Sequence, residues 1–297
     1  MNILDGKQTA ATLNEQIAVK VQERKAKNLK IPHLAAIIVG DDPASHTYVS
    51  HKIKACEKVG FYSSIRKLDA STTEEKLLDE IKAMNNNPEV DGFIVQLPLP
   101  PHIDVNKVIE SVAFQKDVDG FHPTNIGRMM KGLPALLPAT PAGILKLIAH
   151  YQIETKGKHC VVIGRSQIVG TPMSLLLSKP GYPGDCTVTL CHRHTKDLSF
   201  ISRQADILIS AVGQPGLVTG EMVKPGAVVI DVGTTRVIDK NKKSGFALKG
   251  DVVFDEVAPH AQFITPVPGG VGPMTIHALI ANTLLAAERN DALPKNV

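Results

Sequence analysis

"KHCVVIGRSQIVGTPMSLLLS", residues 158 to 178, is the stretch whose reading decides the fold. An apolar strand runs into Gly164, a seven-residue loop leads to Gly170, and a helix follows with Thr171 as its cap and Pro172 in its first turn. Glycines let the backbone approach a pyrophosphate closely, and the start of a helix offers free N–H groups and the positive end of its dipole. The spacing is not G-x-G-x-x-G, and a strand-glycine-helix turn occurs in many α/β folds, so the loop has to be weighed with its surroundings.

Downstream, the apolar runs "CTVTLC" (186–191), "ADILISAVG" (205–213) and "AVVIDVG" (227–233) continue the pattern, the last two closing on glycine. A Rossmann-like parallel sheet is the expectation. In such a unit an acidic residue at the end of the second strand would bind the ribose 2′-hydroxyl of NAD. Here that position reads His192-Arg193-His194, and Arg165 already stands in the glycine loop. A guanidinium suits a 2′-phosphate, so the electrostatics favour NADP over NAD; a solvated loop arginine is the plain alternative. "CHRH" together with Cys186 could be read as a metal cluster, but Cys186 and Cys191 would fall on opposite faces of an alternating strand, which disfavours zinc.

Upstream, helices and strands also alternate. Residues 7 to 28 set Ala10, Leu13, Ile17 and Val21 on one helical stripe, and "LAAIIVG" (34–40) reads as a buried parallel strand. "ASHTYVSHKIKACEKVG" (44–60) reads as a helix opened by Asp41-Asp42-Pro43 and stopped by Gly60. A strand at 62–68, a helix opened by a capping box from Ser71 to Glu74, and the strand "DGFIVQLPLP" (91–100) complete a βαβαβ unit and a parallel sheet. The Pro-rich passage "GLPALLPATPAG" (132–143) then separates the halves, with a helix from about 141 to 151 bridging them. The expected fold class is α/β: two α/β domains with a cleft between them, the second a Rossmann-like parallel sheet. Residues 1–138 form the first domain, joined by the C-terminal helix 273–297, and residues 139–272 form the second.

Bulk properties exclude other classes. At 297 residues, 43% hydrophobic and 21% charged, the chain is an ordinary globular protein long enough for two cores. The net charge of +4 comes from scattered lysines and arginines without a basic run, which argues against nucleic acid and allows small anionic ligands. No export signal or run of 18 apolar residues is visible, so a cytoplasmic protein without a membrane span is expected. The four cysteines show no C-x-x-C pair and read as reduced thiols.

Tyr48 and Lys52 stand four apart on the 44–60 helix and share a face, where one ligand could touch both. An isolated pair of this kind is ordinarily a solvated surface contact. Tyr-x-x-x-Lys also marks short-chain dehydrogenases, but there the dinucleotide loop precedes the pair within a single domain. Here the pair comes some 110 residues before Gly164, in the other half, which assigns it to a substrate domain.

Five pieces taken together carry a resemblance: "YVSHK" (48–52), "DGFIVQLPLP" (91–100), "KDVDGFHPTNIGRM" (116–129), "GRSQIVGTPM" (164–173) and "ITPVPGGVGPMT" (264–275). In that order, across nearly the whole chain, they resemble the bacterial bifunctional methylenetetrahydrofolate dehydrogenase/methenyltetrahydrofolate cyclohydrolases. Three departures stand out: Thr234-Thr235 where many relatives carry Ile-Asn, Ala139 for a frequent cysteine, and "KPGYPGD" (179–185) as a loop insertion.

The resemblance implies that Tyr48 packs its ring on the aminobenzoyl group of a folate, that Lys52 is the catalytic amine, that Gln96 hydrogen-bonds Lys52, and that Asp119 binds the polar edge of the pterin. Leu97 and the turn Pro268-Gly269-Gly270 complete the implied substrate site, with "VPGGVGP" (267–273) lining the cleft. The helix after it, with Ile276, Leu279, Ile280 and Leu284 on one face, is expected to pack on the first domain. The cofactor positions are Gly164, Arg165, Ser166, Ile168, His192, Arg193, Gly213, Thr234 and Thr275. The implied chemistry is NADP-dependent oxidation of 5,10-methylenetetrahydrofolate, then hydrolysis of the methenyl product to 10-formyltetrahydrofolate. Lys52 is the candidate to move the proton in the second step. A homodimer and a place in one-carbon metabolism, feeding purine, methionine and histidine biosynthesis, are implied likewise. At this length no appended formyltetrahydrofolate synthetase is expected. The different class of reading is a folate- or nucleotide-binding regulator without turnover.

Overall fold

Residues 33 to 39, His-Leu-Ala-Ala-Ile-Ile-Val, are buried along almost their whole length, and their side chains alternate between two separate cores. Leu34, Ala36 and Ile38 belong to one, and Ala35, Ile37 and Val39 to the other. A strand with no polar face is stable only with a layer of helices on each side, so the period of two in the backbone dictates a three-layer arrangement. The computed structural model, which describes residues 1–239, 242 and 245–291, shows how this is built.

In chain order the first elements are β1 (Asn2–Ile3), α1 (Gly6–Ala26), β2 (His33–Val39), α2 (Pro43–Val59), β3 (Tyr62–Leu68), α3 (Glu74–Asn86), β4 (Gly92–Val95), α4 (Val105–Ser111), α5 (Pro123–Met130) and α6 (Ala139–His150). They continue with β5 (His159–Ile163), α7 (Gly170–Ser178), β6 (Thr187–Cys191), α8 (Leu198–Ser202), β7 (Ile207–Ser210), β8 (Val228–Asp231), β9 (Thr235–Ile238), β10 (Phe246–Lys249), α9 (Phe254–Val257), β11 (Phe263–Ile264) and α10 (Val271–Asp291). The chain divides into two compact units, one of Thr12–Ala139 with the segment from Ile276 onward, the other of Met1–Ala11 with Thr140–Thr275.

The first of these units has a three-stranded parallel sheet in the order β3-β2-β4. One face of β2 packs on Ile17 and Val21 of α1, Val49, Cys56 and Val59 of α2, and Leu279, Ile280 and Leu284 of α10. The apolar stripe of the C-terminal helix therefore meets the first sheet, as its spacing predicted. The other face packs on Leu77 and Ile81 of α3 and Val108 of α4. Each such side chain contributes roughly 1.5–3 kcal/mol when fully buried.

The second unit has a six-stranded sheet in the order β1-β11-β8-β7-β5-β6, with every pairing parallel, so the Rossmann-like expectation holds. From β5 the chain moves to the edge strand β6 on one side and then to β7 on the other. This reversal is the switch point at which open α/β sheets bind ligands. An antiparallel hairpin of β9 and β10, which the sequence reading did not foresee, follows β8.

Three local expectations need correction. Residues 1–11, assigned above to the first domain, lie in the other unit: Asn2 and Ile3 pair with Phe263 and Ile264, and Lys7 N donates to Gly269 O at 2.9 Å. The Ser71–Glu74 capping box does not form. Ser71 Oγ donates instead to Asp69 Oδ1, Thr73 accepts from Lys76 N to cap α3, and the Glu74 carboxylate accepts from Asp104 N. Finally, α7 starts one residue early, at Gly170, and Thr171 is not its cap: its hydroxyl donates to Arg165 O, while Ser166 Oγ accepts from Val169 N and Gly170 N.

All four cysteines are free and buried. Burial pushes the Cys56 thiol up to about 12 and Cys186 to about 11, so neither is a reactive thiolate at neutral pH. No helix among the described residues is long and apolar enough to cross a membrane.

Candidate active site

The helix that carries Tyr48 and Lys52 is fixed at both ends by local chemistry. Asp42 accepts from Ser45 N at 2.7 Å, Pro43 occupies the first turn, and Gly60 closes the helix in the left-handed region at φ 84. Val49, Cys56 and Val59 are buried in the core, while Tyr48 is exposed and the Lys52 side chain is largely sheltered, 12% exposed. The helix thus presents an aromatic ring and, one turn on, an amine held against the protein.

Two further groups meet that amine at the carboxyl end of β4. Gln96 N extends the sheet ladder to Ile37 O, which sets the backbone. The Gln96 amide then does two jobs: Nε2 donates to Leu97 O at 2.7 Å, and Oε1 accepts from Lys52 Nζ at 3.3 Å. The first bond orients the amide so that its oxygen faces the amine. Asp119 Oδ1 stands 4.0 Å from Lys52 Nζ.

The placement of Asp119 follows from its neighbour. Within "DVDG" the turn is closed by the buried Asp117, which accepts from Gly120 N, His122 N and Asn125 Nδ2 at 3.1, 2.8 and 3.0 Å. Phe93 N donates to Lys116 O, so this segment runs alongside β4. Asp119 is thereby left for Lys52. Burial pushes its carboxyl above the usual range, the Lys52 charge pulls it back, and Asp117 adds a push in the same direction as burial.

In the other unit the expected cofactor positions gather at the carboxyl ends of β5 to β8. Gly164 follows β5 at φ +109, where a Cβ would sit 2.3 Å from Ala211 O. A Cβ on Gly170 would sit 1.8 Å from Gly164 O, so both glycines are required for this turn to close. Between them Arg165, Ser166 and Ile168 are exposed, and the backbone N–H groups of residues 165–168 have no acceptor among the described residues. That is the donor set an anionic phosphate needs, so the loop fits a dinucleotide.

His192 and Arg193 follow β6, and Gly164 N donates to Cys191 O, which sets that strand end beside the glycine loop. No carboxylate lies within 4.0 Å of the Arg165 or Arg193 side chain among the described residues. Gly213 follows β7 and Thr234 follows β8, and Thr235 Oγ1 donates to Gly213 O at 3.2 Å. Thr275, in α10, pairs its hydroxyl with Thr140 Oγ1 at 3.0 Å. Pro268, Gly269 and Gly270 lie in this same unit, in the turn before α10, where Gly270 N donates to Pro266 O.

These two sets of groups match a known pair of domains. Residues 4–119 match the tetrahydrofolate dehydrogenase/cyclohydrolase catalytic domain, and residues 138–291 match the NAD(P)-binding domain of the same enzymes. The chain belongs to the tetrahydrofolate dehydrogenase/cyclohydrolase family. It is 58% identical over 289 residues to the bifunctional protein FolD of Bacteroides thetaiotaomicron, covering 97% of this chain and 99% of that one. Among solved structures it resembles the bifunctional FolD of Campylobacter jejuni at 46% identity and a TM-score of 0.91, covering 97% of this chain and 99% of the other. The Trypanosoma brucei FolD, solved with NADP and an inhibitor, aligns at 39% identity and a TM-score of 0.92, covering 98% of each chain. As a member of this family the chain is a bifunctional enzyme, a methylenetetrahydrofolate dehydrogenase and methenyltetrahydrofolate cyclohydrolase with a nicotinamide dinucleotide as cofactor.

The sequence reading missed two groups in this dehydrogenase/cyclohydrolase. Asp231 ends β8 and Asp251 follows β10, and their carboxylates are buried among the turns that carry Gly213 and Thr234. An acidic residue closing the apolar run "AVVID" was a legible signal for the first, because a buried carboxylate has to bind something. Nothing local marks the second.

Proposed function

We propose that Lys52 is the proton-moving amine of the cyclohydrolase step, set by Gln96 and Asp119, and that Arg165 and Arg193 give this enzyme a preference for NADP. The observation that carries the reading is the convergence on Lys52: an oriented amide at 3.3 Å and a carboxylate at 4.0 Å, at the end of β4. When bound, the dinucleotide takes the hydride from the methylene carbon of the folate. Everything else falls to the chain's own side chains. Tyr48 offers a ring face to the aminobenzoyl group, and Asp119 offers a carboxylate to the donor edge of the pterin, for which parallel charge-assisted hydrogen bonds are well suited.

Oxidation leaves a methenyl cation, and water adds to its carbon with loss of one proton. Ring opening to the formyl product then needs a proton at the departing nitrogen. An amine whose Nζ donates to Gln96 Oε1 and faces the Asp119 carboxylate is placed to relay it, a role ordinarily worth about 100- to 10,000-fold in rate. Two exposed guanidiniums without carboxylate partners among the described residues favour a 2′-phosphate, and the NADP-bound relative from Trypanosoma brucei is consistent with that choice. A homodimer in the cytosol completes this reading.

The test is an absorbance assay of the purified protein with methylenetetrahydrofolate and either NADP or NAD. Reduced dinucleotide, formed faster with NADP, and subsequent loss of the methenyl chromophore are expected. Binding of both ligands without turnover would instead establish a regulator, and equal rates with the two dinucleotides would remove the role given to the arginines.

A further inference from the structure

Asp231 and Asp251 are 3% and 0% exposed, and neither forms an ion pair with a cation among the described residues. Two adjacent buried acids without a counter-charge oppose folding unless hydrogen bonds replace what water gave them. Here backbone N–H groups do so, and they come from particular places. Asp251 Oδ2 accepts from Ser210 Oγ at 3.0 Å and Val212 N at 2.8 Å, and its Oδ1 accepts from Gln214 N at 2.8 Å. Those two backbone donors flank Gly213.

Asp231 works in the same way one strand over. Its Oδ1 accepts from Gly233 N and from Asp251 N, and its Oδ2 from Val252 N, each at 2.9 Å. Gly233 immediately precedes Thr234. The packing admits no side chain between the partners: a Cβ on Gly233 would lie 2.3 Å from Asp251 Oδ1, and one on Gly250 would lie 1.9 Å from Asp231 Oδ2. Because Ser210 and Asp231 are register partners in β7 and β8, the carboxylates tie together two neighbouring strand ends and the turns that leave them.

We propose that Asp251, seated on Asp231, is a positioning residue for the dinucleotide, fixing the turns that carry Gly213 and Thr234. The inference rests on the assignment of those two turns to the cofactor made above. What the buried carboxylates supply is an acceptor array that sets several successive N–H groups and so fixes the backbone conformation of both turns before the ligand arrives.

The test is the variant Asp251→Asn, read in three ways: NADP affinity by titration calorimetry, the thermal midpoint, and cyclohydrolase turnover of preformed methenyltetrahydrofolate, a step that consumes no dinucleotide. The expected result is a rise in the NADP Kd of roughly tenfold to a hundredfold, as for loss of hydrogen bonds to a charged acceptor, with cyclohydrolase turnover retained. A Kd equal to that of the wild type in a folded variant overturns the proposal, as does a parallel fall in cyclohydrolase turnover. Should Asp251→Asn fail to fold, Ser210→Ala decides: it removes one donor to Asp251 at little change in shape, and a raised NADP Kd supports the proposal where an unchanged one refutes it. Failure of the parent reading is distinct, since then the wild type itself would not bind NADP.

Discussion

Asp117 Oδ1 accepts a hydrogen bond from Gly120 N at 3.1 Å, and this bond closes the turn that leaves Asp119 beside Lys52. Two aspartates separated by a single valine therefore have opposite duties. Asp117 is buried and accepts three hydrogen bonds, whereas Asp119 is pushed by burial toward its neutral form and faces only a loose charge partner at 4.0 Å. Asp117→Asn should destabilise the protein by about 1–3 kcal/mol, the cost of breaking a satisfied buried acceptor. Asp119→Asn should cost less than Asp117→Asn, because burial already works against its charge and Lys52 stands no nearer than 4.0 Å, while activity falls sharply. Urea denaturation alongside activity checks both, and equal destabilisation by the two variants would erase the distinction.

The legibility of this division in the sequence was uneven, for physical reasons. The α2 helix was readable because its caps, Asp42 and Gly60, are chosen by backbone geometry within a few residues. The α3 start was misread because Ser71, Thr73 and Glu74 all suit a helix entry, and only the Asp69 carboxylate next to Ser71 decides among them. β1 is two residues long and its partner lies some 260 residues away, so no local pattern reveals it. In the candidate site, Lys52 was visible from its spacing to Tyr48 and its motif. Asp251 was not, because its role exists only once Ser210, Val212 and Gln214 have folded around it.

Lys52→Met keeps most of the side chain's bulk and removes its charge and protons. Gln96 remains anchored to Leu97 O, so the local fold should survive. Cyclohydrolase turnover should fall by at least about 100-fold, the lower range for loss of a proton-transfer group, while NADP binding to the other unit is retained. Single-turnover decay of the methenyl chromophore measures the step directly. Wild-type decay in this variant would remove Lys52 from its role.

Arg193 is exposed at the end of β6, and its Nε donates to Nε2 of the adjacent His194 at 3.1 Å, an exposed local bond whose loss should leave the fold in place. Arg193→Ala should lower kcat/KM for NADP by about tenfold to a hundredfold, as expected for a lost guanidinium–phosphate contact, and leave kcat/KM for NAD nearly unchanged. A drop with both dinucleotides would mean that Arg193 supports the loop and does not read the phosphate. An unchanged preference would transfer the task to Arg165.

Burial pushes the Asp231 carboxyl up to about 6, against three backbone hydrogen bonds that pull it down and the Asp251 charge that adds to the push. An unfolded aspartate releases its proton near 3.8. Below about pH 4 both states hold the proton and the group is neutral to the folding equilibrium. Between about pH 4 and 6 the unfolded chain releases it while the folded chain keeps it, so this group's contribution turns against folding and levels off above about 6. The full swing is at most about 3 kcal/mol. Other acids impose their own pH dependence, so the quantity to measure is the difference from Asp231→Asn, which carries no charge at any pH. Wild type should exceed the variant by its largest margin near pH 4, and the margin should shrink as pH rises to about 6 and then stay level. Urea denaturation of both proteins at pH 4.5 and 7 decides this, and a margin that grows with pH would show Asp231 to be an ordinary ionised acceptor.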